Sequence, residues 1–158
     1  MTAEKNYWLI KSELNAFSWN DLQKMPQKRV QWDGVRNYQA RNYMFQMKVN
    51  DQIFFYHSSC KIPEIVGIVR VVRQAYPDYT AWDISNDKYD PKATKDNPRW
   101  YMVDVAIQRK LNRSISLSEI QNHHEFLENF QLLRKGSRLS IMPVTPEYWD
   151  FILSLETK

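Results

Sequence analysis

Glycine is scarce in this sequence: Gly34, Gly67 and Gly136 are the only three in 158 residues. Loops that cradle phosphates with backbone amides need several glycines at fixed spacing, so Walker-type and dinucleotide-type sites are excluded. Cysteine is scarcer still, with Cys60 alone. No intramolecular disulfide can form, a zinc site built on thiolates is excluded, and a reducing compartment suits the chain. No apolar run approaches the roughly 18 residues of a membrane span. No five like charges follow one another, so there is no basic tail. The stretch from Met1 to Asn6 is polar and charged, unlike a secretory signal. These absences predict a soluble, cytoplasmic protein, nucleoid-associated if microbial.

Catalytic motifs are missing as well. There is no nucleophile elbow, no Cys-x-x-Cys of the zinc deaminases and no metal-ligand spacing. His57 and Cys60 lie three residues apart, which puts them on opposite faces of a strand rather than in a dyad. The expectation is a non-enzymatic protein with no metal and no cofactor.

What is present in quantity is aromatic. Phe, Trp and Tyr make up 14% of the chain, with 6 Trp and 9 Tyr. Trp and Tyr bury large areas but carry a polar group that needs a partner, so some of them are expected to line a pocket or face a ligand. The formal net charge is +4, which suits a polyanion such as nucleic acid. The length fits one domain over residues 1–158, and a monomer is expected.

Periodicity places the elements. Tyr7 to Ile10 and Gln52 to His57 read as strands, the second carrying Phe54-Phe55-Tyr56. Ile65 to Val72 is almost all β-branched and reads as a buried central strand. Trp100 to Arg109 and Ser137 to Met142 alternate as half-buried strands. Ser18 caps a short helix that ends before Pro26, and Asp33 or Gly34 is expected to cap a second helix with Val35, Tyr38, Asn42 and Phe45 on one face. A capping box at Ser116–Glu119 opens a helix to about Asn122, followed by a helical stretch over 125–133. Thr145-Pro146-Glu147 opens the closing helix. Tyr76 to Pro98 is a long polar excursion, and such loops are often functional. Strands and helices mix without βαβ alternation, which argues an α+β fold with a curved sheet.

Several segments, in order, resemble the EVE domain family. They include Trp8-Leu9-Ile10-Lys11-Ser12-Glu13, Trp32-Asp33-Gly34-Val35-Arg36-Asn37-Tyr38-Gln39-Ala40-Arg41-Asn42, and Phe54-Phe55-Tyr56-His57-Ser58. Further on come Ile65-Val66-Gly67-Ile68, Pro98-Arg99-Trp100 and Leu132-Leu133-Arg134-Lys135-Gly136-Ser137-Arg138-Leu139-Ser140. The resemblance covers roughly residues 6–155. It implies a PUA-like mixed β pseudo-barrel flanked by short helices, related to YTH domains that hold a methylated adenine in an aromatic cage. It also implies a reader of a modified base, methylated or hydroxymethylated cytosine or similar, with modified DNA favoured over RNA. The resemblance also leaves an RNA-binding reader open, since the PUA and YTH relatives bind RNA, and the residues allow an enzyme acting on nucleotides or a protein adaptor. Leu14 stands where the family usually has proline.

The candidate binding residues follow. Lys11 and Ser12 would meet a base edge or phosphate, or simply end a strand. Trp32 would form one wall of a base sandwich, or staple a helix. Asn37 can donate and accept as a base edge requires, and Tyr38 is its neighbour. His57, Ser58 and Ser59 end an aromatic strand, with His57 the most plausible functional histidine. Arg138 would contact phosphate or form an ion pair. Tyr79, Trp82 and Trp100 flank the long loop as further cage candidates, or belong to the core.

Overall fold

In the computed structural model the described residues are 6–158; Met1–Lys5, and with them most of the stretch read as unlike a signal, lie outside them. The chain runs β1 (Tyr7–Glu13), α1 (Trp19–Gln23), β2 (Arg29–Trp32), α2 (Tyr38–Gln46), β3 (Gln52–Ser58), β4 (Glu64–Pro77), β5 (Tyr101–Ser116), α3 (Leu117–Gln121), β6 (Ile141–Val144) and α4 (Pro146–Leu155). All six strands form one sheet in the order β2-β5-β4-β3-β1-β6. β1 and β3 pair in parallel and the other neighbours are antiparallel. The register slips once between β3 and β4 and four times between β4 and β5. Each slip bends a strand and adds right-handed twist, so the two long strands curl the sheet into an open pseudo-barrel. The fold is the expected α+β, PUA-like pseudo-barrel with short helices around it.

Burial follows from position in the sheet. β3 lies inside it and is covered on both faces, so Ile53 through His57 are all buried and no alternation shows. On one face Trp149 of α4 sits between two rings, 3.8 Å from Phe54 and 4.6 Å from Tyr7, both near parallel. The polar handles of two tryptophans find carboxylates: Trp8 Nε1 donates to buried Asp51 at 3.1 Å and Trp100 Nε1 donates to Asp90 at 2.7 Å.

Several expectations need correction. β2 was missed, because four residues at a sheet edge leave almost no periodic signal. α2 begins at Tyr38, capped by the Asn37 side chain on the Ala40 amide at 2.9 Å, not at Asp33 or Gly34. Its core face is Ala40 and Met44, while Tyr38 and Phe45 are about half exposed. Val35 reaches the core from the loop before the helix. The stretch 125–133 is a run of turns ending in a 3-10 turn at Gln131–Leu133. β6 starts at Ile141 and tolerates exposed Pro143 because it is an edge strand. Glu119 does not reach back to the Ser116 amide; it grips Arg113 with two contacts of 2.7 Å. The capping box forms instead at α1, between Ser18 and Asp21.

α1 is only five residues long and is held by two contacts with the sheet. The first is steric. The Trp19 ring lies directly on Gly67 of β4, where an added Cβ would sit 2.3 Å from the ring. The second is polar. The Trp19 amide is one of the free donors of the first helical turn, and it donates to His57 Nε2 at 3.0 Å. His57 is therefore a neutral imidazole with its proton on Nδ1, and burial holds its pKa below the usual value.

Two outcomes follow from this seat. Gly67→Ala must displace Trp19 and is expected to cost at least about 1–3 kcal/mol in a denaturation curve, as overpacking does. The His57 pKa is lower folded than unfolded, so the unfolded chain binds more protons as acid is added. Stability carried by His57 is intact above about pH 6.5 and falls as the pH drops through its folded value. His57→Gln keeps an acceptor without a titrating group. Its urea midpoint is expected to change less between pH 7 and pH 5 than that of the wild type, and equal slopes would remove His57 from the account.

Candidate nucleic-acid interface

The end of β1, the turn after it and the end of β2 enclose an open cleft of about 480 Å³. Lys11, Ser12 and Glu13 of β1, the aromatic rings of Phe17 and Trp32, and the loop Asp33 to Arg36 line it. Lys88 and Ser140 close the ends. Two other depressions, of about 440 and 480 Å³, are lined by none of the candidate residues.

The aromatic side is a ladder of edge contacts. Trp32 meets Phe17 at 6.1 Å and Phe55 at 5.8 Å, and Phe55 meets Trp19 at 5.5 Å, all near perpendicular. Among the described residues no ring stacks parallel on Trp32, which fits a wall left for a planar ligand. Ser12 is buried and its hydroxyl donates to the Phe17 carbonyl, which ties the turn to the strand. Its oxygen can still accept from a ligand.

Charge in the cleft is arranged in two tiers. The lower tier is structural. Asp78 is fully buried and accepts from the Gly34 amide at 2.8 Å, the Thr80 amide at 2.9 Å, the Thr80 hydroxyl at 2.6 Å and Arg36 at 3.0 Å. Arg36 also donates to the Thr80 hydroxyl and to the carbonyls of Val35 and Lys88, so its guanidinium is spent on the protein. The upper tier is open. Lys11 is half-buried, its pKa lowered by burial, and its ammonium meets no acceptor among the described residues. The Asp33 carboxylate stands at the exposed rim with no side-chain partner there. Partial burial first, then the charge of Asp78, push its pKa up.

The structure brings together three of the sequence-nominated residues in this cleft: Lys11, Ser12 and Trp32. The others lie elsewhere. His57 seats α1 and Asn37 caps α2, so both are engaged by backbone amides. Ser58 accepts the Leu14 amide on its carbonyl at 3.3 Å, and Ser59 is exposed in a left-handed turn at φ 55°. Arg138 is exposed two residues before the cleft-lining Ser140. The candidate cage does not assemble around the cleft. Trp100 is buried and stacks on Tyr38 at 4.8 Å, Trp82 packs on the small cluster of Ala81, Ala93 and Trp100, and Tyr79 is exposed with its hydroxyl 3.5 Å from Gln31. Trp100, Tyr38 and Trp82 form a second aromatic group, with Arg41 lying 4.8 Å over Tyr38. It touches the cleft through Arg36, which lies 5.8 Å over Trp100.

Sequence reasoning missed Phe17, Asp33, Arg36 and Lys88 as cleft residues. The signal was in the segment Trp32-Asp33-Gly34-Val35-Arg36, which reads as a helix start but is a loop turned by Gly34 at φ +79°. Among the described residues no group of three or more His, Cys, Asp and Glu is arranged to hold a metal. No helix there is long and apolar enough to cross a membrane.

Comparison with known proteins identifies the family and the fold. The family model described as "EVE domain" matches residues 6–155. Mouse thymocyte nuclear protein 1 is 46% identical over 167 residues, covering 96% of this chain and 74% of its own. The crystal structure of human THYN1 protein in complex with 5-methylcytosine-containing DNA is 43% identical, with a TM-score of 0.93 over 98% of this chain and 99% of that one. A crystal structure of a protein from Pseudomonas putida is 47% identical, with a TM-score of 0.89 over 95% and 99% of the two chains. The chain belongs to the EVE domain family.

Proposed function

We propose that this protein is a non-enzymatic reader of a modified cytosine in DNA, and that the base enters the cleft beside Trp32. The observation that carries the reading is the backbone match, at a TM-score of 0.93, to a protein solved with 5-methylcytosine-containing DNA. The chemistry of the cleft supports it. An extruded base would stack on Trp32, and the polar groups of β1 and the rim would meet its edge. Extrusion from a duplex costs a few kcal/mol. One stacked base returns about 1–3 kcal/mol and edge hydrogen bonds add to it. The net charge of +4 suits the phosphates around the extruded base. A DNA ligand puts the protein at the genome rather than in the cytosol at large, and the mouse relative carries a nuclear name.

The test is binding of matched DNA oligonucleotides carrying cytosine, 5-methylcytosine or 5-hydroxymethylcytosine, with RNA controls, at two salt concentrations. The expected result is tighter binding of one modified DNA, weakening with salt for all of them. Trp32→Ala is expected to lower affinity for the preferred base by about ten- to hundredfold, the equivalent of one lost stack. Equal binding of every base, insensitive to Trp32→Ala, would falsify the reading.

A further inference from the structure

A protein that reads 5-methylcytosine in DNA faces a competitor that is everywhere in DNA. Thymine carries the same 5-methyl group on the same ring. The two differ only at the pairing edge: 5-methylcytosine presents a 4-amino donor and a bare N3, thymine a 4-oxo acceptor and an N3–H donor, and both present O2. Contact with the methyl group cannot separate them. If the cleft selects 5-methylcytosine, the selection against thymine must come from a side chain that meets position 4 or position 3.

The charged groups of the cleft that have no side-chain partner among the described residues include the Asp33 carboxylate and the ammonium groups of Lys11 and Lys88. Asp33 directly follows Trp32 and lines the same cleft, and the turn after it is held by the Gly34 amide on Asp78. The carboxylate is exposed at the rim and has no side-chain partner among the described residues; partial burial and the charge of Asp78 raise its pKa, while its own backbone amide and the charges of Arg36 and Lys88 act against the rise. A donor from a ligand would relieve that position. Lys11 of β1 lines the same cleft, and its ammonium is likewise without an acceptor among the described residues. Glu13 also lines the cleft but is exposed at the end of the strand. Arg36 has its donors occupied.

We propose that Asp33 is the residue that excludes thymine, accepting a hydrogen bond from the 4-amino group of the bound cytosine, while Lys11 donates to O2. The inference rests on the base-reader assignment above and specifies which edge the site reads. An ionised carboxylate facing the 4-oxo group of thymine puts two acceptors together and leaves both without a donor, and this penalty is the basis of selection. O2 is common to both pyrimidines, so Lys11 contributes affinity without choosing between them.

The experiment measures binding of the whole protein to short duplexes with one central residue: 5-methylcytosine, cytosine, thymine or an abasic site. The opposing position is abasic in every duplex, so that all bases leave the stack at similar cost. The wild type is expected to prefer 5-methylcytosine over thymine by at least about tenfold. Asp33→Asn can turn its amide to donate to the 4-oxo group. It is expected to bring that ratio close to one, by losing affinity for 5-methylcytosine and gaining affinity for thymine. Lys11→Met is expected to weaken both pyrimidines by a similar factor and leave the ratio in place. Thermal unfolding of the variants checks that they are folded, which exposed Asp33 favours. If Asp33→Asn keeps the wild-type ratio, the assignment of Asp33 is wrong while the base reader stands. If the wild type does not prefer 5-methylcytosine to the abasic site, the base reader falls and this inference falls with it.

Discussion

The buried carboxylate of Asp78 is the constraint on which the candidate site depends. A fully buried charge is tolerated only when it is paired and hydrogen-bonded, and Asp78 is supplied by two amides, a hydroxyl and Arg36. Each of those donors belongs to a piece of chain that must then stay in place. Gly34 and Arg36 are the rim of the cleft. Thr80 begins the long excursion between β4 and β5. The Lys88 carbonyl, held by the same guanidinium, lies further along it. A stretch whose apolar core is only the small cluster of Ala81, Ala93 and Trp100 is thereby tied to the loop that follows Trp32. Removing one partner of such a buried pair typically costs about 3–5 kcal/mol, because the other charge stays behind unpaired. The loop geometry that sets Asp33 beside Trp32 is therefore a consequence of an interaction one layer below the ligand.

This layering explains what could and could not be read from the sequence. The β-branched run of β4, the Ser18 cap of α1 and the Thr145-Pro146-Glu147 start of α4 are local signals, and the structure carries all three. The curved α+β sheet was legible from the irregular order of elements, and the family from its ordered motifs. β2 was not legible, because an edge strand of four residues owes its existence to β5 rather than to its own pattern. The cleft was legible only in part. Lys11, Ser12 and Trp32 sit in short motifs next to predicted strands. Asn37 and His57 have the side chains a base reader needs, yet helices claim both, one as the cap of α2 and one as the acceptor under α1. Sequence shows what a side chain can bond, and the fold decides whether a backbone amide reaches it first.

The same competition sorted the aromatic residues. An excess of Trp and Tyr was expected to leave rings for a ligand, and most were instead used to bury one another. Trp149 is held between Tyr7 and Phe54, Trp19 covers Gly67, and Trp100 is stacked beneath Tyr38 with its indole proton on Asp90. Trp32 differs in kind, since its ring contacts are edge-on and it lines an opening. A cleft with one such wall cannot work as a closed aromatic cage. It must draw more of its selectivity from polar groups.

That requirement fits the energetics of the ligand. A buried methyl group is worth about 0.8 kcal/mol, roughly a fourfold preference. A mispaired polar group costs about 1–3 kcal/mol, or roughly five- to 150-fold. A reader that relied on the methyl alone would be drawn to every thymine, which carries the methyl and outnumbers any modified cytosine. Selection is stronger when the edge refuses thymine first and the methyl contact then favours the modified base over plain cytosine. An exposed carboxylate without a side-chain partner immediately after Trp32 is the arrangement that such a two-step discrimination would need.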